Sequence, residues 1–169
     1  HPPKPLSCRP MTRRAATRWI LAITLVFLAA GLLVLPHLDR YHVDEQYYTD
    51  AALQMRATGD YLRPRYGDLL PHYLKPIVTY WMVTTGFALA GVNFLGARLL
   101  FLLAGAATVA LTYRLAHRLF GRRESAVAAT LVLAAHHDLW SAALRSTPDM
   151  PLVLCLTAGF VGFARFLRM

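Results

Sequence analysis

Charged residues are scarce in this sequence: they make up 16% of its 169 residues, while hydrophobic residues make up 56%. A soluble domain carries about 25% charged residues, so the composition favours a protein that crosses a membrane several times. Acids are the scarcer sign, with 9 Asp and Glu against 18 Lys and Arg. Because the basic residues flank apolar runs rather than cluster on one polar face, they indicate membrane topology, and we expect no nucleic-acid partner.

Cysteine is also rare, since only Cys8 and Cys155 occur. Their spacing matches neither a zinc site nor a disulfide framework. The sequence has no internal repeat, no glycine-rich phosphate loop and no nucleophile elbow. These absences exclude a P-loop nucleotidase and an α/β-hydrolase.

The apolar runs predict an all-α membrane protein with about four transmembrane helices. The predicted spans are residues 19–35, 96–116, 126–144 and 151–164. Arginines precede the first span, so the positive-inside bias puts residues 1–18 in the cytoplasm as an arm and residues 36–95 outside. On this topology 11 of the 18 Lys and Arg, but only Glu124 of the 9 acids, are cytoplasmic.

Two helices are expected to lie along the membrane surface within the 36–95 loop, near residues 44–58 and 77–90. Asp44 is a suitable helix cap and Gly59 a suitable stop for the former. The latter has fourteen residues, about 21 Å as a helix, which is short for a crossing. A crossing there would also move the basic residues between 114 and 123 to the outside, against the positive-inside bias.

Acidic residues of two external loops are candidates for chemistry. Asp44 and Glu45 stand together in the first loop, and Asp149 stands in the short loop 145–150, RSTPDM. A carboxylate at the membrane interface can act as a general base or hold a cation. The alternative is that each acid only caps a helix.

Basic residues of the first loop, Lys75, Arg63 and Arg65, are candidates for binding the phosphate of an anionic lipid. The alternative is ordinary snorkelling of long side chains near the bilayer. His136, His137 and Asp138 interrupt an apolar run and suggest a metal site or a proton relay. Adjacent side chains on a helix point about 100° apart, which disfavours the metal site.

The ordered series of motifs from VDEQYYTDAALQMRATGDYLRPRYGDLLPHYLKP through GVNFLGARLLFLLAG to RSTPDMPL resembles the GT-C membrane glycosyltransferases. The likeness is greatest to protein O-mannosyltransferases and bacterial lipid A aminoarabinose transferases. It implies an inverting transfer of a sugar from a polyprenyl-phosphate donor to a lipid A, protein or cell-envelope acceptor, on the non-cytoplasmic face of the plasma (inner) membrane. It maps the catalytic acid of the external loop onto Asp44, the donor-phosphate lysine onto Lys75, and a second acid of the cavity onto Asp149.

Two departures from the family pattern matter. The family often has EKPP where this chain has Leu74 before Lys75-Pro76 and Ile77 after it, so no cofactor is assigned and a divalent metal stays an open alternative. Family members also carry many more transmembrane helices, which implies that the chain is an amino-terminal fragment with little activity alone. Two other classes stay open: a non-catalytic four-helix subunit for binding or assembly, and an ion or proton transporter that uses His136, His137 and Asp138.

Overall fold

The computed structural model describes residues 10–38, 42–65 and 75–167, and within these ranges the regular structure is helical throughout. A short 3-10 turn, Leu35–His37, follows the first helix. The seven α-helices are α1 Arg13–Val34, α2 Val43–Thr58, α3 Ile77–Ala90, α4 Phe94–Phe120, α5 Arg123–Ala134, α6 His137–Ala143 and α7 Asp149–Phe166. The predicted all-α fold class is confirmed.

Caps and glycines set the ends of the helices in and after the loop that was predicted to be external, residues 36–95. Asn93 precedes α4, and its Oδ1 accepts a hydrogen bond from Gly96 N at 2.8 Å. Gly59 ends α2 with φ of 73°, a left-handed conformation that glycine adopts without steric cost. The two helices predicted near 44–58 and 77–90 therefore have the expected bounds to within a residue. Their position along a membrane surface stays a prediction.

Three helical stretches in the described ranges are long and apolar enough to cross a membrane: Arg13–His37, Phe94–Phe120 and Asp149–Phe166. They correspond to the first, second and fourth predicted spans. The number of four crossings stays a prediction, because the remaining segment has a different structure from the one expected.

The prediction of one continuous helix over residues 126–144 is wrong. The chain breaks between α5 and α6 at Ala135 and His136. In an unbroken helix Asp138 N would donate to the carbonyl of Ala134. Instead Asp138 N donates to His136 Nδ1 at 3.3 Å, and Ala134 O accepts from Trp140 Nε1 at 2.8 Å. Side chains thus replace the backbone hydrogen bond that the break removes.

Helix α4 lies at the centre of the fold, in contact with α1, α3, α5, α6 and α7. Its residues Phe101 and Leu102 are completely buried. The approach of α3 to α4 is closest at two glycines, because a Cβ added to Gly86 would lie 2.0 Å from Gly96 O. The amino-terminal part of α4 therefore packs tightly against α3.

Candidate active site

A buried ion pair joins α2 to the second turn of α4. Arg98 Nε donates to Glu45 Oε1 and Arg98 Nη2 to Glu45 Oε2, each at 2.9 Å. Glu45 is completely buried and Arg98 is 2% exposed. This two-pronged arrangement is the strongest form of charge-assisted hydrogen bonding between an arginine and a carboxylate.

Three backbone groups from other parts of the chain complete the pair. Ser146 N donates to Glu45 Oε1 at 2.7 Å, and His42 N donates to Glu45 Oε2 at 2.8 Å. Arg98 Nη1 donates to Leu38 O at 3.2 Å. The pair thus connects the end of α1, the start of α2, the start of α4 and the loop before α7. Both carboxylate oxygens of Glu45 are engaged, which favours a structural role, and its predicted catalytic role stays a prediction.

The surroundings of Glu45 keep its carboxylate ionised. Burial alone would raise its pKa, but the hydrogen bonds from Arg98, His42 N and Ser146 N, together with the Arg98 charge, outweigh this effect. The pKa of Glu45 therefore lies below its ordinary value. A carboxylate with a lowered pKa and no free oxygen is poorly suited to take up a proton at neutral pH.

Asp44, the neighbour of Glu45, faces solvent instead, and its side chain is 66% exposed. It lies in the first turn of α2, where the helix dipole favours a negative charge. Asp149 opens α7, and its Oδ2 accepts from Thr147 Oγ1 at 2.9 Å. Asp44 and Asp149 line the same cavity of about 350 Å³. The remaining lining residues of this acidic cavity are His42, Asp138, Ser141, Ala142, Arg145, Thr147 and Val153.

A larger cavity of about 600 Å³ adjoins the acidic cavity. The two share His42, Ser141 and Arg145 as lining residues. Glu45 and Arg98 form part of the wall of the larger one. The buried ion pair therefore lines a cavity that adjoins the one lined by Asp44 and Asp149.

Tyr48 lies one turn after Asp44 on α2, and the charges of both Asp44 and Asp149 act on its hydroxyl. Burial, with smaller contributions from the charges of Tyr80, Asp44 and Asp149, raises the pKa of Tyr48 to about 12. Its ring packs against that of Tyr80, with 5.3 Å between the ring centroids. Tyr48 is thus a neutral, buried contact between α2 and α3.

The predicted phosphate-binding residues lie elsewhere. Arg63 and Arg65 line a separate cavity of about 170 Å³ near the end of α2, and Arg63 Nε lies 3.8 Å from Asp60 Oδ2. Lys75 is exposed just before α3 and is not a lining residue of the acidic cavity. The structure does not bring these three cations together with Asp44 and Asp149.

The predicted metal candidates do not form a cluster. His136 and His137 are exposed, and no group of three or more His, Cys, Asp or Glu in the described part of the chain is arranged to hold a metal ion. The nearest contact, between His136 Nδ1 and Asp138 Oδ2, is 3.8 Å long. Their place at the helix break explains why polar residues interrupt this apolar run. Asp138 and His137 each line one of the two adjoining cavities.

Sequence reasoning missed Arg98, Ser146 and Arg145 as parts of this site. Arg98 carried a usable signal, because an ionisable residue within an apolar span is costly and commonly has a buried partner. Ser146 carried none, since it contributes its backbone N–H to Glu45. Arg145 lies in the same short loop, 145–150, as Asp149. Its exposed side chain lines both adjoining cavities.

Comparison with known proteins gives relatives that share about a third of their residues with this chain. An uncharacterized protein of Aquifex aeolicus is 34% identical over 114 residues, which are 68% of this chain and 23% of that protein. An undecaprenyl phosphate-alpha-4-amino-4-deoxy-L-arabinose arabinosyl transferase of Pseudomonas paraeruginosa is 32% identical over 114 residues, 66% of this chain and 21% of the relative. A transferase of the same name from Pseudomonas fluorescens is 33% identical over 125 residues, 72% of this chain and 22% of the relative.

The matched region thus spans between a fifth and a quarter of the length of these curated relatives. No solved structure matches the chain. The family of dolichyl-phosphate-mannose-protein mannosyltransferases matches residues 74–168, which is more than half of the sequence. The chain belongs to this family of membrane glycosyltransferases.

Proposed function

We propose that the chain carries the reaction site of a glycosyltransferase that moves a sugar from a polyprenyl-phosphate donor to an acceptor, with inversion, on the non-cytoplasmic face of the plasma (inner) membrane. The family and the names of the undecaprenyl-phosphate-dependent relatives support the class of donor. The observation that carries the proposal is that Asp44 and Asp149, distant in sequence, line one cavity. A lipid or protein acceptor fits equally well, and the amino terminus is expected in the cytoplasm.

Asp44 is the proposed general base. Its carboxylate is exposed and accepts no hydrogen bond from the described part of the chain. The carboxylate Oδ2 lies 3.9 Å from His42 Nδ1. In the proposed step it takes the proton of the acceptor hydroxyl or amine, while the acceptor atom attacks the anomeric carbon. The bond from that carbon to the phosphate oxygen breaks, and polyprenyl phosphate leaves. While these bonds form and break, Asp149 stabilises the positive charge that develops on the sugar ring in the transition state.

Arg145 is the proposed partner of the departing phosphate. It lines the acidic cavity together with Asp44, and a guanidinium matches the geometry of a phosphate with two parallel hydrogen bonds. The resemblance assigned this role to Lys75, with Arg63 and Arg65. Those residues stay candidates for the approach of the donor, whereas the cavity geometry favours Arg145 for the reaction itself.

The proposal is tested by sugar transfer in membranes from cells that express the protein with Asp44→Asn. General bases contribute about 10²- to 10⁴-fold to rate, so a loss of that size is expected at unchanged protein level. Asp50→Asn is the matched control, because Asp50 is an exposed acid of the same helix that does not line the acidic cavity. Equal activity of the two variants would overturn the role of Asp44 and favour the non-catalytic binding or assembly subunit.

A further inference from the structure

A second large cavity lies at the other end of α1 and α4, and we propose that it binds the phosphate headgroup of an anionic membrane lipid. Its volume is about 660 Å³. The lining residues of this basic cavity are Arg13, Thr17, Ile20, Leu21, Ala110, Tyr113, Arg114, His117 and Arg123. Three arginines and a histidine thus converge, and no acid is among the lining residues.

The basic cavity is remote from the proposed reaction site. Arg98 and Arg114 are sixteen residues apart on α4, which corresponds to about 24 Å along the helix axis. A headgroup in the basic cavity is therefore far from the cavity that Glu45 and Arg98 line. The two sites lie near opposite ends of helices that are long enough to cross a membrane, and so face opposite leaflets.

Two of the arginines are available for a ligand. Within the described residues, neither the Arg13 nor the Arg114 guanidinium donates a hydrogen bond or lies within 4.0 Å of a carboxylate. Arg123 is partly engaged, because its Nη1 donates to Met11 O at 3.0 Å. The Glu124 carboxylate accepts a hydrogen bond from Met11 N and interacts with the charges of Arg122 and Arg123, but Glu124 is not a lining residue of the cavity. The cavity therefore has a net positive charge that its own walls leave unbalanced.

The other walls fit a lipid better than a soluble anion. Ile20 and Leu21 on α1 and Ala110 on α4 present apolar surface beside the arginines. Tyr113 and His117 stack with ring centroids 5.8 Å apart, and the buried Nδ1 of His117 has no hydrogen-bond partner among the described residues. A basic pocket between membrane-spanning helices, with an apolar side for acyl chains, matches the chemistry of an anionic phospholipid.

The test is a binding titration of the full 169-residue chain in detergent micelles, with a phosphatidylglycerol carrying a fluorescent acyl chain as the probe. The variant Arg13→Gln/Arg114→Gln removes the two available cations. The control Arg14→Gln/Arg122→Gln removes two exposed arginines from the same end of the molecule that do not line the cavity. Both variants change the net charge equally, and circular dichroism with size-exclusion chromatography checks that both fold.

We expect the cavity variant to bind the probe roughly 25-fold more weakly than the unmodified chain, about fivefold for each arginine, and at least tenfold more weakly than the control variant. Phosphatidylcholine with the same label should bind far more weakly than phosphatidylglycerol. Equal losses in the two variants would show diffuse attraction to the basic end and overturn the site. Inorganic phosphate that binds as tightly as the lipid, at matched ionic strength, would overturn the lipid as the ligand.

Discussion

Replacing Arg98 with methionine should turn the Glu45 carboxylate from a stabilising group into a destabilising one. The substitution keeps a long apolar stem beside the Phe94 ring, over which the guanidinium lies at 5.5 Å. It removes both hydrogen bonds from Arg98 to Glu45 and leaves only those from His42 N and Ser146 N. Removal of one partner from a buried ion pair costs about 3–5 kcal/mol, and both residues here are almost completely buried.

The pH dependence of the Arg98→Met variant separates this mechanism from a loss of packing. Without the arginine, burial dominates and the pKa of Glu45 should rise above its ordinary value of 4.5. A raised folded-state pKa adds stability that is present below the unfolded value and is lost as pH rises through the folded value. The variant should therefore lose stability as pH rises above 4.5 and through the raised folded-state value, whereas Glu45 should cause no such loss in the unmodified protein.

The assay is unfolding in mixed micelles, followed by circular dichroism, for Arg98→Met, Glu45→Gln and the double variant. The sum of the losses in unfolding free energy of the two single variants should exceed the loss of the double variant. The reason is that the second substitution removes a charge that the first left unpaired. Arg63→Met is the control, since its contact with Asp60 is 3.8 Å long and exposed. Exposed pairs contribute less than about 1 kcal/mol. A cost below about 1 kcal/mol for Arg98→Met, or strict additivity with Glu45→Gln, would refute the reasoning.

Three further predictions concern stability. Because the pKa of Glu45 is lowered in the folded state, the cost of Glu45→Gln should be constant above the ordinary value of 4.5 and should shrink as pH falls through the folded value, as acid titration of unfolding would show. Gly86→Ala should cost about 1–3 kcal/mol of unfolding free energy in the same assay, because its Cβ would meet Gly96 O. The control Gly162→Ala has open space for a Cβ and should be neutral or slightly stabilising. Equal effects of the two substitutions would contradict the close approach of α3 to α4. Ser146→Ala should cost about 0.5–1.5 kcal/mol, since it loses the bond to the carbonyl of residue 97 but keeps the backbone N–H on Glu45, and a larger cost would show that the loop itself moves.

Local sequence signals predicted the helices that carry the site. The acids at the start of α2, Gly59 at its end and Pro76 before α3 mark helix boundaries that depend on neighbouring residues alone. The same holds for the placement of Asp44 and Asp149 at loops that share one side of the bundle, because the order of apolar runs determines which loops meet. The shared cavity agrees with that prediction.

Nonlocal contacts were beyond the sequence. The Asp-Glu pair gave no sign that Asp44 would face solvent and Glu45 the interior, because that choice depends on Arg98 in a distant helix. The break at His136 likewise depends on a specific exchange of hydrogen bonds with the Trp140 indole, which an apolar count over residues 126–144 does not detect. Hydropathy averages measure the cost of leaving water, whereas these features depend on the direction of single donors and acceptors.

Glu45, Arg98 and Ser146 are synthesised in this order, which limits the order in which their contacts form during biogenesis. Glu45 is synthesised before Arg98, so the countercharge of Arg98 is already part of the chain when α4 is made. Unpaired arginine in a membrane is costly, and early pairing with Glu45 lowers that cost during insertion. The Ser146 N–H arrives last and completes the coordination of the carboxylate. The contact that joins the loop before α7 to the ion pair of Glu45 and Arg98 therefore forms only after residue 146 has been synthesised.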